Sequence, residues 1–197
     1  MLYQKNMIGG NFSNLKFQTF YTSREVSACP LISEVVRIGK RFDDLKLYEN
    51  IQETVISFRY GRRLLINSIG SSIKDIKKED FLEIVDYDPI KKLILAIGPK
   101  EPSIETPVHW LICHAKKEVN AIIQINIRNF AEKFEKKLPT TEKEYPSGTL
   151  DQAKEILGCL RKSNKIVIKN QGLIFVGNSS KEVEELVLNT IEGKNEN

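Results

Sequence analysis

Gln124 and Asn126 stand two residues apart in a run that is otherwise apolar, Ala121-Ile122-Ile123-Gln124-Ile125-Asn126-Ile127. In extended backbone, positions i and i+2 share a face, so the two amides project together from one side of a strand. Gln171, in the tight turn before Gly172, could join them. Amide oxygens can ligate hard cations, yet three neutral amides are poor donors for zinc, and hydrogen bonding to one another, to water or to a ligand's hydroxyls suits them better. Glu105 adds a carboxylate near the start of a helix, where the macrodipole favours its charge; burial there would raise its pKa toward the range of a general acid or base. The chain holds only two histidines, His109 and His114, so no site of three imidazoles can form within it. His109 and Cys113 lie one helical turn apart, and we read them as a half-buried histidine beside a core cysteine, with His114 pointing elsewhere.

These side chains need a frame. From residue 31 the apolar positions Ile32, Val35, Val36, Phe42 and Leu45 recur at helical spacing, with Gly39 on the same stripe where a neighbour can approach closely. Residues 54–59 and 63–67 are short β-branched and aliphatic runs around Tyr60-Gly61, and residues 81–86 and 92–97 repeat the pattern around Asp88-Pro89. Together they predict a meander of four strands. Pro102-Ser103 is read as opening a helix that runs to about Lys116, with Ser103 as its N-cap. A strand over 120–127 follows, then a Lys-rich stretch and a loop over 139–146. The spacing next predicts a helix over 149–162 with Ala153, Ile156, Leu157 and Leu160 inward, a hairpin of 165–169 with 173–176, and a terminal helix from Ser179 or Ser180.

From about residue 31 to 187, several phrases in order resemble the class II aldolase and adducin head family. Ser57-Phe58-Arg59, then Leu64-Leu65-Ile66-Asn67 and Gly70, is similar to the family's Gly-Asn-x-Ser-x-Arg and Leu-Ile-Thr-Pro-x-Gly. Pro102-Ser103-Ile104-Glu105 resembles its Ser-Ser-Glu helix start, and Gln171-Gly172 its His-Gly turn. Gly10-Asn11-Phe12-Ser13 also spells the first phrase but lies too far upstream, so we set it aside. The resemblance implies a three-layer α/β/α domain around a mixed, mostly antiparallel sheet, and a homo-oligomer, a ring tetramer with sites between subunits. It also implies that Gln124, Asn126 and Gln171 occupy the three positions of the zinc-binding histidines, and that Glu105 matches the acid/base carboxylate. Losing such a Lewis acid removes several kcal/mol of transition-state stabilisation. The phosphate pocket is eroded as well, with Val55, Ile69 and Ile104 where the family has hydrogen-bonding residues; Ser103, Ser57 and Gly70 remain, and Ser71, Ser72 and Lys74 could rebuild a small anion site beside Gly70.

The chain of 197 residues suffices for one domain with a full core. We place that domain at residues 31–191, an N-terminal extension that packs on the core or a neighbour at 1–30, and a disordered tail at 192–197. Cys29, Cys113 and Cys159 are an odd number at no metal-like spacing, which suits buried thiols in a reducing compartment. The net charge of +4 is spread along the chain, giving no nucleic-acid stripe, and no apolar run spans a bilayer. The sequence thus predicts a cytoplasmic protein with no cofactor, no metal, no nucleic-acid or membrane partner, and a small polar molecule as ligand. Its function is that of a binding or assembly protein on an aldolase-like scaffold. The alternative is a lyase or isomerase of small hydroxy-carbonyl compounds with Glu105 as acid/base. In either case the expected ligand-binding residues are Gln124, Asn126, Gln171, Ser103, Gly70 and Ser71.

Overall fold

Near-continuous burial along the central strands marks one sheet with both faces covered. The computed structural model describes residues 17–44, 53–127 and 133–192. The elements run β1 (Gln18–Ser23), α1 (Ile32–Asp44), β2 (Glu53–Tyr60), β3 (Arg63–Asn67), a 3-10 turn (Lys78–Asp80), β4 (Phe81–Asp88), β5 (Leu93–Ile97), α2 (Thr106–Ala115), β6 (Ala121–Asn126), α3 (Leu150–Cys159), β7 (Lys165–Ile168), β8 (Gly172–Gly177) and α4 (Ser180–Ile191). The strand order is β1-β5-β4-β3-β2-β6-β8-β7. The predicted meander is the central stretch β5-β4-β3-β2. Every pairing is antiparallel except β1 with β5, which makes the sheet mixed and mostly antiparallel.

The two faces of β2, β6 and β8 divide the core. One carries Val55, Ile122, Ile174 and Val176 beneath Val108 and Ile112 of α2 and Ala153 and Ile156 of α3. The other carries Ile56, Ile123 and Phe175 against Val35, Ile38 and Phe42 of α1 and Val183 and Val187 of α4. Each such fully buried side chain contributes about 1.5–3 kcal/mol of hydrophobic stabilisation, so the three layers hold together through both faces at once. The close approach expected at Gly39 is present: a Cβ there would stand 2.7 Å from the Ile73 carbonyl oxygen. Cys29, Cys113 and Cys159 are free thiols.

Two expectations need adjustment. Ser103 does not cap α2. Its hydroxyl accepts from the Glu105 N–H and its carbonyl from the Thr106 N–H, so it closes a turn ahead of the helix. Glu105 becomes the N-cap residue, the first helical bond runs from His109 N–H to the Glu105 carbonyl, and Pro107 sits in the first turn where its missing N–H has no cost. The other adjustment concerns residues 1–30, where Gln18–Ser23 forms the edge strand β1, in parallel register with Leu93–Ile97. Leu45, Gly10 to Ser13 and the tail beyond Glu192 lie outside the described residues.

Candidate functional site

Cross-strand register sets the site on the α2/α3 face of the sheet. Glu53 of β2 pairs with Asn126 of β6, and Val55 with Gln124, so all four side chains leave the same face. Glu105, at the start of α2, comes down onto that face, and one turn later His109 does the same. Both are fully buried.

Gln124 is the hub of a directional chain of hydrogen bonds. Its Nε2 donates to Asn126 Oδ1 at 3.0 Å, which leaves Oε1 as the acceptor facing His109 Nε2 at 3.2 Å. The imidazole therefore carries its proton on Nε2, and its Nδ1 accepts from the Ser57 hydroxyl at 2.8 Å. Burial disfavours the imidazolium and brings the His109 pKa down to about 4, consistent with a neutral ring held between a donor and an acceptor. His109 is thus buried more deeply than its sequence position suggests, and its partners are on the sheet rather than at Cys113. His114 does point elsewhere: it stacks on Trp110 at a ring-centroid distance of 4.1 Å.

Gln171 belongs to a second chain. Its Oε1 accepts from Gln152 Nε2 at 2.7 Å, and its own Nε2 donates to the Tyr145 carbonyl at 2.7 Å. Gln152 Oε1 in turn accepts from the Gly148 N–H at 2.8 Å. The loop ahead of α3 is therefore tied to the β7–β8 turn by side-chain amides. Gly172 makes that turn possible, since a Cβ there would lie 2.0 Å from the Ile125 carbonyl oxygen.

Glu105 is the exception to this polar economy. Neither of its carboxylate oxygens meets a donor at hydrogen-bonding distance and angle. Burial pushes its pKa up to about 7; the Ser147 hydroxyl, the Gln124 amide and the Gly148 N–H stand near enough to oppose that rise, and the Glu53 charge adds to it. The carboxylate makes no capping hydrogen bond to α2. Glu53 is itself raised by burial, with the Asn126 side chain opposing. A buried, unpartnered carboxylate facing a second one is costly to maintain, and such groups concentrate at sites that bind or react. Sequence reasoning missed Glu53, Gln152 and Ser147. The signal for Glu53 was available, because it lies two residues before Val55 on the same strand face.

The donor set does not fit the family's zinc. The amide oxygens of Gln124, Asn126 and Gln171 already accept from His109, Gln124 and Gln152 respectively. Zinc prefers imidazole and thiolate donors. Among the described residues no three of His, Cys, Asp and Glu stand together in a metal-holding group. The positions that the resemblance gives to a phosphate pocket are engaged within the fold. Val55 is in the core, and Ser103 Oγ is buried and engaged with Glu105 N–H. Beside Gly70, whose φ is +70°, the Ser71 hydroxyl donates to the Ser68 carbonyl and accepts from Asn67 Nδ2.

An α/β/α domain with an antiparallel-rich sheet, carrying a buried acid and an amide cluster on one face, defines the class. The sequence profile described as Class II Aldolase and Adducin N-terminal domain matches residues 33–125. L-fuculose 1-phosphate aldolase superposes with a TM-score of 0.68 at 15% identity, covering 85% of this chain and 85% of that one. The L-fuculose-1-phosphate aldolase of Thermus thermophilus gives 0.64 at 17% identity over 82% and 90% of the two chains. The sugar-phosphate aldolase of Thermotoga maritima gives 0.60 at 15% over 84% and 97%. No curated protein sequence matches the chain. At these identities the structural likeness is one of fold. The chain thus has the fold of class II aldolases, and its residues 33–125 match that family's profile, with amides where the resemblance implies zinc-binding histidines.

Proposed function

We propose that this chain binds a small polar molecule at Glu105 without zinc, as a binding or assembly protein on the class II aldolase scaffold. The observation that carries this reading is the contrast within one site. The amides at the histidine positions are engaged with other side chains, whereas both oxygens of the buried Glu105 have no partner. A ligand that offers donors would complete the site, and Ser103, Gly70 and Ser71 now serve local turns rather than an anion. The aldolase neighbours act on sugar phosphates by name; cleavage of L-fuculose 1-phosphate by the purified protein, with and without added zinc, is expected to stay at the buffer rate. Zinc-dependent turnover would overturn the reading.

One observation favours a second reading, that of a lyase or isomerase of small hydroxy-carbonyl compounds. A carboxyl whose pKa is about 7 is poised for proton transfer at neutral pH, and Glu105 would be the acid/base. Should a turnover be found, Glu105→Gln would lower it at least a hundredfold, and unchanged turnover would remove the role. In either reading we place the protein as a cytoplasmic homo-oligomer.

A further inference from the structure

We infer that the site takes a small organic cation, a ligand presenting a primary ammonium, in place of the phosphorylated anions its fold neighbours are named for. The inference rests on the proposed binding role of Glu105 and names the ligand's charge. Three observations carry it. Both oxygens of the fully buried Glu105 are without a hydrogen bond of good geometry, while the Gln124 amide, the Ser147 hydroxyl and the Glu53 carboxylate stand near enough to act on its charge. The second carboxylate, on Glu53, comes from the neighbouring strand β2, opposite Asn126. Among the described residues no Lys or Arg is paired with either carboxylate, while the buried acids elsewhere in the fold are paired, Asp80 with Lys100, Glu83 with Arg63, and Glu184 with both Arg37 and Arg41. A fully buried carboxylate beside a half-buried one, with no cation paired to either among the described residues, is electrostatically incomplete, and a bound cation favours the ionised form of both.

The number of open acceptors selects the kind of cation. Calcium and magnesium seek six or more oxygen ligands. Here the amide oxygens of Gln124 and Asn126 already accept hydrogen bonds, leaving the two carboxylates. An ammonium carries three N–H donors, which matches both oxygens of Glu105 and one of Glu53. The same charge repels phosphate, in keeping with Val55 lying beside Gln124 in the register.

The test is a titration of the full-length protein with ethanolamine, protonated at neutral pH, followed by NMR on the side-chain amides of Gln124 and Asn126. Ethylene glycol, phosphoglycolate and magnesium chloride serve as neutral, anionic and metal comparisons. Ethanolamine is expected to give saturable shifts, with affinity at least tenfold above the other three, and Glu105→Gln and Glu53→Gln each to weaken it at least tenfold while leaving the backbone spectrum folded. Equal or tighter binding of ethylene glycol, phosphoglycolate or magnesium, no binding of ethanolamine, or binding indifferent to both variants would overturn the inference. Zinc measured in the same sample separates the two levels: metal-free protein that ignores ethanolamine sinks this inference alone, whereas one zinc per chain sinks the zinc-independent reading beneath it.

Discussion

Two buried titratable groups one helical turn apart have shifted in opposite senses, and their effects on stability oppose each other. Glu105 holds its proton to about pH 7 in the folded chain and to an ordinary value of 4.5 when unfolded, so its contribution falls as pH rises between those values. His109 is neutral in the folded chain down to about pH 4, against an ordinary 6.5, so its contribution falls as pH drops through that window. Between 4.5 and 6.5 each state holds one of the two protons, and the two effects cancel. The isosteric Glu105→Gln removes one side of this balance. Urea unfolding should find the variant more stable than the native chain at pH 7, by on the order of 3 kcal/mol, with the difference shrinking by about 1 kcal/mol per pH unit toward pH 4.5. Parallel pH curves for the two proteins would mean that Glu105 is not buried as a charge. Glu105 itself was legible because the resemblance gives its position to an acid/base carboxylate. The engagement of His109 with Gln124 was not, because local spacing says nothing about which strand lies under a helix.

At the level of elements, glycines and one arginine fix how the site-bearing pieces meet. In β8, Gly172 lets the β7–β8 turn close onto β6, and an added methyl would drive into the Ile125 carbonyl. Gly172→Ala is therefore expected to lower stability by about 1–3 kcal/mol and to loosen Gln171 from Gln152, read as a drop in melting temperature with altered side-chain amide resonances. An unchanged melting temperature would show that the turn can shift freely. Arg59 of β2 donates to the carbonyls of Cys113, Lys116 and Val119 and to Asn120 Oδ1, gathering the end of α2 and the start of β6. It satisfies carbonyls left open at the helix C-terminus and adds a favourable charge there. Arg59→Ala should cost about 2–3 kcal/mol, because several charge-assisted bonds are lost together; denaturant titration would expose a smaller loss as a sign that water replaces them. The strands of the meander were legible from alternation and turn residues, with Gly61 at φ +60° and Lys92 at φ +54° marking the reversals. β1 was not, because its exposure alternates between half-buried and open and its partner β5 lies some seventy residues away. An edge strand of that kind leaves only a weak apolar signal.

For the molecule as a whole, the reading we propose is an aldolase-type fold that binds its ligand without the zinc the resemblance implies. The individual helices and strands were legible from apolar periodicity, whereas their three-layer arrangement was legible only through the family resemblance, which the fold bears out at 14–17% identity to the neighbouring structures. The site was only half legible, because amides at the positions the resemblance gives to histidines do not name a ligand. The edge strand β1, with Phe20 half exposed, leaves backbone groups and apolar surface available to a neighbouring subunit. Light scattering is expected to give a multiple of the 22.6 kDa chain mass, and a monomer at micromolar concentration would remove the oligomer from the account. The central claim is that this aldolase-like domain works without zinc. Plasma mass spectrometry of the purified protein, before and after incubation with zinc and exhaustive dialysis, addresses it directly. The account predicts far less than one zinc per chain in both samples, and one zinc per chain would contradict it.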